Sequence, residues 1–339
     1  MEVNQLNESL VSGVNLTKHF ESRRSPIEFL AGRRPPPIRA VDGVTIEIQR
    51  GEILALVGES GSGKTTLGRL LLLLERPTSG EVWFDGQRID NVGSRTLRAY
   101  RRRMQMIYQD PYGSLNPKLR VSEIVSEPLR VNGVEAKKDR VTEYLAVSGL
   151  RPPEKFLDRY PHELSGGQRQ RVAIARAMIL EPEFVVADEP VSMLDVSLRS
   201  EILGVIKRFN QMLKTSFLLI THDLAVAAQV SSRIMVMYLG RVVEEGDTLG
   251  VLRRPKHPYT QTLLSVVPRL GGSLPKELPK GEIPSAKNIP SGCRFHTRCA
   301  YALEVCSTEE PELRLVDGSR VSCHFAERIL SGSTNLSTS

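Results

Sequence analysis

Aromatic residues are scarce in this chain of 339 residues: Phe, Trp and Tyr make up 5%, with a single Trp. That is poor material for the base-stacking platforms that bind single-stranded nucleic acid. Long apolar runs are also missing. Stretches such as Leu70–Leu74 fall far short of the ~20 residues that span a bilayer. Residues 1–292 contain no cysteine, so no disulfide framework can staple the larger part of the chain. The net charge is +7, but the dense basic runs are short: Arg23-Arg24, Arg33-Arg34 and Arg101–Arg103. Such scattered charge reads as a solvated surface, not as a nucleic-acid stripe. The opening MEVNQLNESL has no basic region followed by an apolar stretch. The expectation is therefore a chain without a secretory leader that stays in the cytoplasm. With 40% hydrophobic and 25% charged residues, there is enough to build about two globular domains.

What is present begins at Gly58–Thr66, GESGSGKTT. The pattern G-x-x-x-x-G-K-T is a phosphate-binding loop. Gly58, Gly61 and Gly63 let the backbone bend with its N–H groups inward, and Glu59, Ser60 and Ser62 complete the curve. Lys64 supplies a point charge for β- and γ-phosphates, the Thr65 hydroxyl suits Mg²⁺, and Thr66 follows. The apolar ILALV at 53–57 reads as a strand before the loop, and 66–74 as a helix after it, so the phosphate meets a helix N-terminus. Phe184–Ala187 is a second buried strand ending in Asp188 and Glu189. The first of these acids suits Mg²⁺ through its water shell, and the second suits activation of an attacking water. Leu164–Gln168, LSGGQ, places Ser165, Gly166, Gly167 and Gln168 at the start of another helix, a second phosphate cradle. One nucleotide has no use for two such cradles in one chain, but two chains placed head to tail do.

The remaining pattern alternates strands and helices. Residues 14–20, 40–48, 82–85, 106–108, 184–187 and 217–220 read as strands, and 233–246 as a hairpin turning at Leu239-Gly240. Residues 94–103, 121–149, 168–180 and 196–213 read as helices. This predicts an α/β core with a mostly parallel sheet, interrupted by an inserted helical subdomain near 110–165. The Pro-rich stretch 21–39 reads as an exposed loop. Prolines recur after about residue 255, all four cysteines fall between 293 and 323, and the tail 331–339 has the composition of a disordered segment. The expected divisions are 1–255, a C-terminal module over 256–330, and the tail.

LSGGQ between the phosphate loop and the Asp188 strand resembles the signature of the ABC-type ATPases. Over residues 14–250 the other family positions match in order. Gln109 in MIYQD resembles the glutamine that touches Mg²⁺ and the attacking water. Asp195 in SMLD resembles the aspartate of the D-loop, with Met193 where the family commonly has Ala. His222 in ITHD resembles the switch histidine on the γ-phosphate. Phe20 is the candidate to stack on adenine, with Phe29 as the alternative. QDPYGSLNP at 109–117, HPYTQTLL at 257–264 and the cysteine-rich tail are similar to the oligopeptide/dipeptide importer ATPases. The resemblance implies a RecA-like P-loop core with an antiparallel β subdomain, binding ATP and Mg²⁺. It further implies a paralogous ATPase subunit in a head-to-tail dimer, two membrane-spanning permease subunits, an extracytoplasmic binding protein acting indirectly, and a peripheral place on the cytoplasmic side of the membrane. Nucleic acid is not expected as a partner. A soluble ABC-type ATPase acting on nucleic acid or ribosomes is the alternative, as is a regulatory subunit with a degraded site.

Cys293, Cys299, Cys306 and Cys323 lack the C-x₂₋₄-C knuckles usual for zinc. Their wider spacing suits a [4Fe–4S] cluster held by four thiolates, as in some members of the resembled family. Zinc and reduced thiols or disulfides stay open as alternatives.

Overall fold

The computed structural model describes residues 9–21, 36–265 and 284–330. Phe29, most of the Pro-rich stretch and the 331–339 tail lie outside these residues. Among the described residues the strands form two sheets. β1 (Ser9–Phe20), β2 (Ile38–Gln49), β4 (Ser79–Phe84) and β5 (Gln87–Arg88) make an antiparallel sheet in the order β2-β1-β4-β5. The main sheet contains β3 (Ile53–Val57), β6 (Met104–Ile107), β7 (Phe184–Asp188), β8 (Ser216–Thr221), β9 (Arg233–Tyr238), β10 (Arg241–Asp247), β11 (Arg314–Val316) and β12 (Ser319–Val321). Its order is β11-β12-β10-β9-β3-β8-β7-β6. The stretch β9-β3-β8-β7-β6 is parallel, and the strands beyond β9 are antiparallel.

The parallel strands are apolar throughout because both their faces are covered. In β7, Phe184 and Val186 face the core shared with the antiparallel sheet and α1 (Lys64–Leu71), while Val185 and Ala187 face the opposite core. That opposite core takes α4 (Val121–Val131), α5 (Lys138–Val147), α6 (Gly166–Met178) and α7 (Val196–Leu213). Between the two sets in the chain lie α2 (Ser94–Arg103) and the short α3 (Pro111–Ser114). Helices α3 to α5 lie between β6 and β7, within residues 110–165. Helices α8 (Leu224–Val230), α9 (Thr248–Arg253) and α10 (Pro258–Ser265) follow, and α11 (Glu304–Thr308) and α12 (Ala326–Leu330) lie among the cysteines and at the end of the described chain.

Two sequence expectations shift. The helix after the phosphate loop starts at Lys64 and stops at Leu71, not at Leu74. The chain doubles back there: Leu73 takes φ 49°, and the N–H groups of Leu74 and Glu75 both bond to the Arg69 carbonyl. The C-terminal residues also extend the main sheet, since β12 pairs with β10 through Glu244–Val321 and Glu245–Arg320. No helix among the described residues is long and apolar enough to cross a membrane.

Candidate active site

The carboxyl ends of four neighbouring parallel strands deliver the site, which is where open α/β sheets place their ligands. β3 runs into the phosphate loop, β8 into His222, β7 into Asp188 and Glu189, and β6 toward Gln109. The loop is tightly seated. A Cβ on Gly63, which has φ 101°, would lie 2.0 Å from the Ala40 carbonyl oxygen, and one on Gly58 would lie 2.2 Å from that of Met237. Larger residues at these two points would push the loop off its supports.

Lys64 is 5% exposed. Its ammonium donates to the carbonyls of Gly58 at 2.7 Å and Glu59 at 2.8 Å, and to Ser62 Oγ at 3.3 Å. Burial pushes its pKa down, opposed by the carboxylates of Glu189, Asp188 and Glu59. Thr65 Oγ1 donates to Asp188 Oδ1 at 3.0 Å. Burial raises the Asp188 carboxyl, the Thr65 hydrogen bond lowers it, and the charge of Glu189 raises it again. A buried carboxylate beside a threonine hydroxyl is an oxygen donor set suited to a hard divalent cation. The residues therefore fit Mg²⁺.

Gln109 Nε2 donates to Glu189 Oε2 at 3.2 Å, and His222 Nδ1 lies 3.2 Å from the same oxygen. Glu189 itself sits at φ 45°, a conformation that costs a non-glycine residue energy and collects at working sites. Its N–H is anchored to the Ile220 carbonyl at 2.9 Å. Phe20, Glu59, Ser60, Gly61, Gly63, Lys64, Thr65, Thr66, Gln109, Glu189 and His222 line one open cleft, with Ile38, Ala40, Leu263 and Ala286. Phe20 ends β1 and lines this cleft.

Ser165, Gly166, Gly167 and Gln168 are not among the residues lining this cleft. They start α6, where Ser165 Oγ accepts from the Gln168 N–H and Gln168 Oε1 accepts from the Ser165 N–H. Asp195 is exposed at the start of α7, flanked by Met193 and Val196, which are 60% and 78% exposed.

The four cysteines come together around one cavity. Among the described residues no group of three or more His, Cys, Asp or Glu side chains is arranged to hold a metal ion. Cys293, Cys299, Cys306 and Cys323 are free thiols lining one small cavity. Burial pushes the Cys299 and Cys323 thiols up to about 12 and raises that of Cys293.

Sequence reasoning missed two residues that touch the phosphate loop from the C-terminal part, Tyr259 and Arg298. The Tyr259 hydroxyl accepts the Glu59 N–H at 2.7 Å, and Arg298 holds the Glu59 carboxylate. Tyr259 had a signal in HPYTQTLL; Arg298 had none beyond its place beside Cys299.

The ABC transporter family model matches residues 41–192, and the model for the C-terminal region of oligopeptide/dipeptide transporters matches 243–306. The chain is 42% identical to the di/tripeptide transport ATP-binding protein DppF of Pseudomonas aeruginosa, over 95% of this chain and 99% of that one. It is also 42% identical to the dipeptide transport ATP-binding protein DppF of Escherichia coli, over 95% and 96%. Among solved structures, a dimeric ATP-binding cassette in a post-hydrolysis state bound to ADP and Pi matches with a TM-score of 0.61 and 31% identity, covering 70% of this chain and 98% of that one. A dimeric bacterial ABC transporter cassette matches with the same TM-score at 30% identity.

Proposed function

The chain belongs to the ABC transporter ATPases, and on that premise we propose that it is the ATP-hydrolysing subunit of an importer for di- and oligopeptides. The observation that carries the reading is the convergence of Gln109 and His222 on Glu189 Oε2, at the strand ends facing the phosphate loop. A carboxylate so held can accept a proton from water while its neighbours fix where that water stands. The names of the DppF relatives support peptide as the cargo.

In this reading Gly58–Thr66 holds the triphosphate, Lys64 meets its β- and γ-oxygens, and Phe20 stacks on the adenine. Thr65, Asp188 and Gln109 would hold Mg²⁺, which would supply positive charge to offset that developing on the phosphoryl oxygens. Glu189 acts as the base, and His222 and Gln109 orient it and sense the γ-phosphate. Ser165–Gln168 and Asp195 of a second ATPase subunit complete the site head to tail. Their absence from the lining of the cleft in one chain and the dimeric neighbours support that arrangement. A groove lined by Leu74, Met104, Met106, Tyr108 and Val131, with Arg101, Glu127 and Arg176, includes the residue before Gln109. Leu74, Tyr108 and Val131 are exposed, which supports seating a cytoplasmic helix of a permease subunit there. Closure of the ATPase pair would then move α3–α5 and the seated helix together. The finer proposal for the cysteine cavity is a [4Fe–4S] cluster, supported by all four thiols lining it; iron and acid-labile sulfide analysis with a visible spectrum decides it.

The test of the main reading is purification in detergent with the permease subunits, followed by an ATPase assay on the complex. Co-purification with ATP turnover is expected; a chain that binds ribosomes or nucleic acid and no membrane subunit would overturn it.

A further inference from the structure

Glu59, the second residue of the phosphate loop, is a junction of five bonds. Its N–H goes to the Tyr259 hydroxyl at 2.7 Å. Its carbonyl accepts from Lys64 Nζ at 2.8 Å and from the Ser62 N–H at 3.2 Å. Its carboxylate takes both guanidinium nitrogens of Arg298, at 2.8 and 3.1 Å. Arg298 is 6% exposed, with Tyr238 and Phe295 beneath its guanidinium at 5.9 and 5.7 Å from the ring centroids. A planar fork on a carboxylate fixes both position and orientation, which a lysine point charge does not.

The same peptide reaches the loop from its other side. Arg294 donates to Asp42 and to the Leu239 carbonyl. Asp42 N–H bonds to the Gly240 carbonyl at 3.0 Å, and Gly240 N–H to the Ser62 carbonyl at 2.9 Å. The segment 293–299 thus touches the phosphate loop at Glu59 and reaches Ser62 through Asp42 and Gly240, although Arg298 and Glu59 are 239 residues apart.

We infer that Arg298 and Tyr259 are positioning residues for ATP binding: they fix Glu59, and through its carbonyl the ammonium of Lys64, in the geometry that receives the phosphates. The inference rests on reading Gly58–Thr66 as the ATP site. Neither residue touches the reacting atoms, so the effect falls on nucleotide affinity and not on the hydrolytic step.

The experiment measures binding of a fluorescent ATP analogue to the full-length chain, together with KM and kcat in the assembled complex. The variants are Arg298→Gln, Arg298→Lys, Tyr259→Phe, Glu59→Gln and the Glu59→Gln/Arg298→Gln pair, with thermal unfolding recorded for each. Arg298→Gln should weaken binding and raise KM about tenfold, with kcat within about twofold. Tyr259→Phe, which removes one hydroxyl, should move KM the same way by less. Arg298→Lys should recover part of the loss, and the double variant should bind no worse than the weaker single one. Binding by Arg298→Gln within about twofold of wild type would overturn the inference, as would additive losses in the double variant or a fall in kcat at constant KM. Failure of the wild-type chain to bind the analogue would sink the ATP-site reading itself, a result distinguishable from the others.

Discussion

His222 Nδ1 and Glu189 Oε2 stand 3.2 Å apart across the ends of β8 and β7, and Glu189 is held there at φ 45°. The ring nitrogen and the Gln109 amide, which donates to the same oxygen, fix one carboxylate from two sides. His222→Ala should therefore lower kcat at least ~100-fold, on the scale of losing a positioned proton-transfer partner, with nucleotide affinity nearly unchanged. Stopped-flow binding with steady-state turnover on the assembled complex separates the two effects.

Lys64→Ala should act oppositely. The ammonium is buried among the loop carbonyls and three carboxylates, so its removal deletes the charge nearest the phosphates. Nucleotide affinity should fall at least tenfold, read by titration with a fluorescent analogue. Unchanged affinity would remove Lys64 from its role.

The groove at Leu74, Tyr108 and Val131 makes a separable prediction. Val131 is 75% exposed, so Val131→Glu should cost little stability, within about 0.5 kcal/mol. A charge placed there should abolish co-purification with the permease subunits and leave ATP binding by the isolated chain intact. Retention of the complex would place the membrane contact elsewhere.

His257 predicts a pH dependence. It is fully buried, its Nδ1 accepts the Tyr259 N–H at 3.0 Å, and burial pushes its pKa down to about 3. The fold thus holds the neutral ring. The unfolded chain takes up a proton below about pH 6.5, so stability is present above that value and is lost as pH falls toward 3. The slope is at most ~1.4 kcal/mol per pH unit. Urea unfolding at several pH values should show this loss, and His257→Gln should flatten it between about pH 6.5 and 5. An equal slope in the variant would assign it to other groups.

Most of the site was legible because it follows local rules. ILALV and FVVAD announce buried parallel strands by unbroken apolar runs, and the glycines, Lys64 and the terminal acids mark their ends. The helix boundary at Leu71 was not legible, because five consecutive leucines carry no period that distinguishes helix from turn. The β11–β12 hairpin has three-residue strands that exist by pairing onto β10, a tertiary effect that no local propensity records. The clamp from Arg298 to Glu59 is equally non-local. The cysteine spacing points to a metal centre, but spacing along the chain does not fix where sulfur atoms point, so the one cavity that the four thiols share is a tertiary fact.

The most direct test of the account is ATP hydrolysis by the assembled transporter carrying Glu189→Gln. The amide keeps the shape of the carboxylate but cannot take a proton from water. Binding should persist, with turnover reduced at least ~100-fold. Hydrolysis near the wild-type rate would contradict Glu189 as the base and the strand-end geometry as the machinery of this protein.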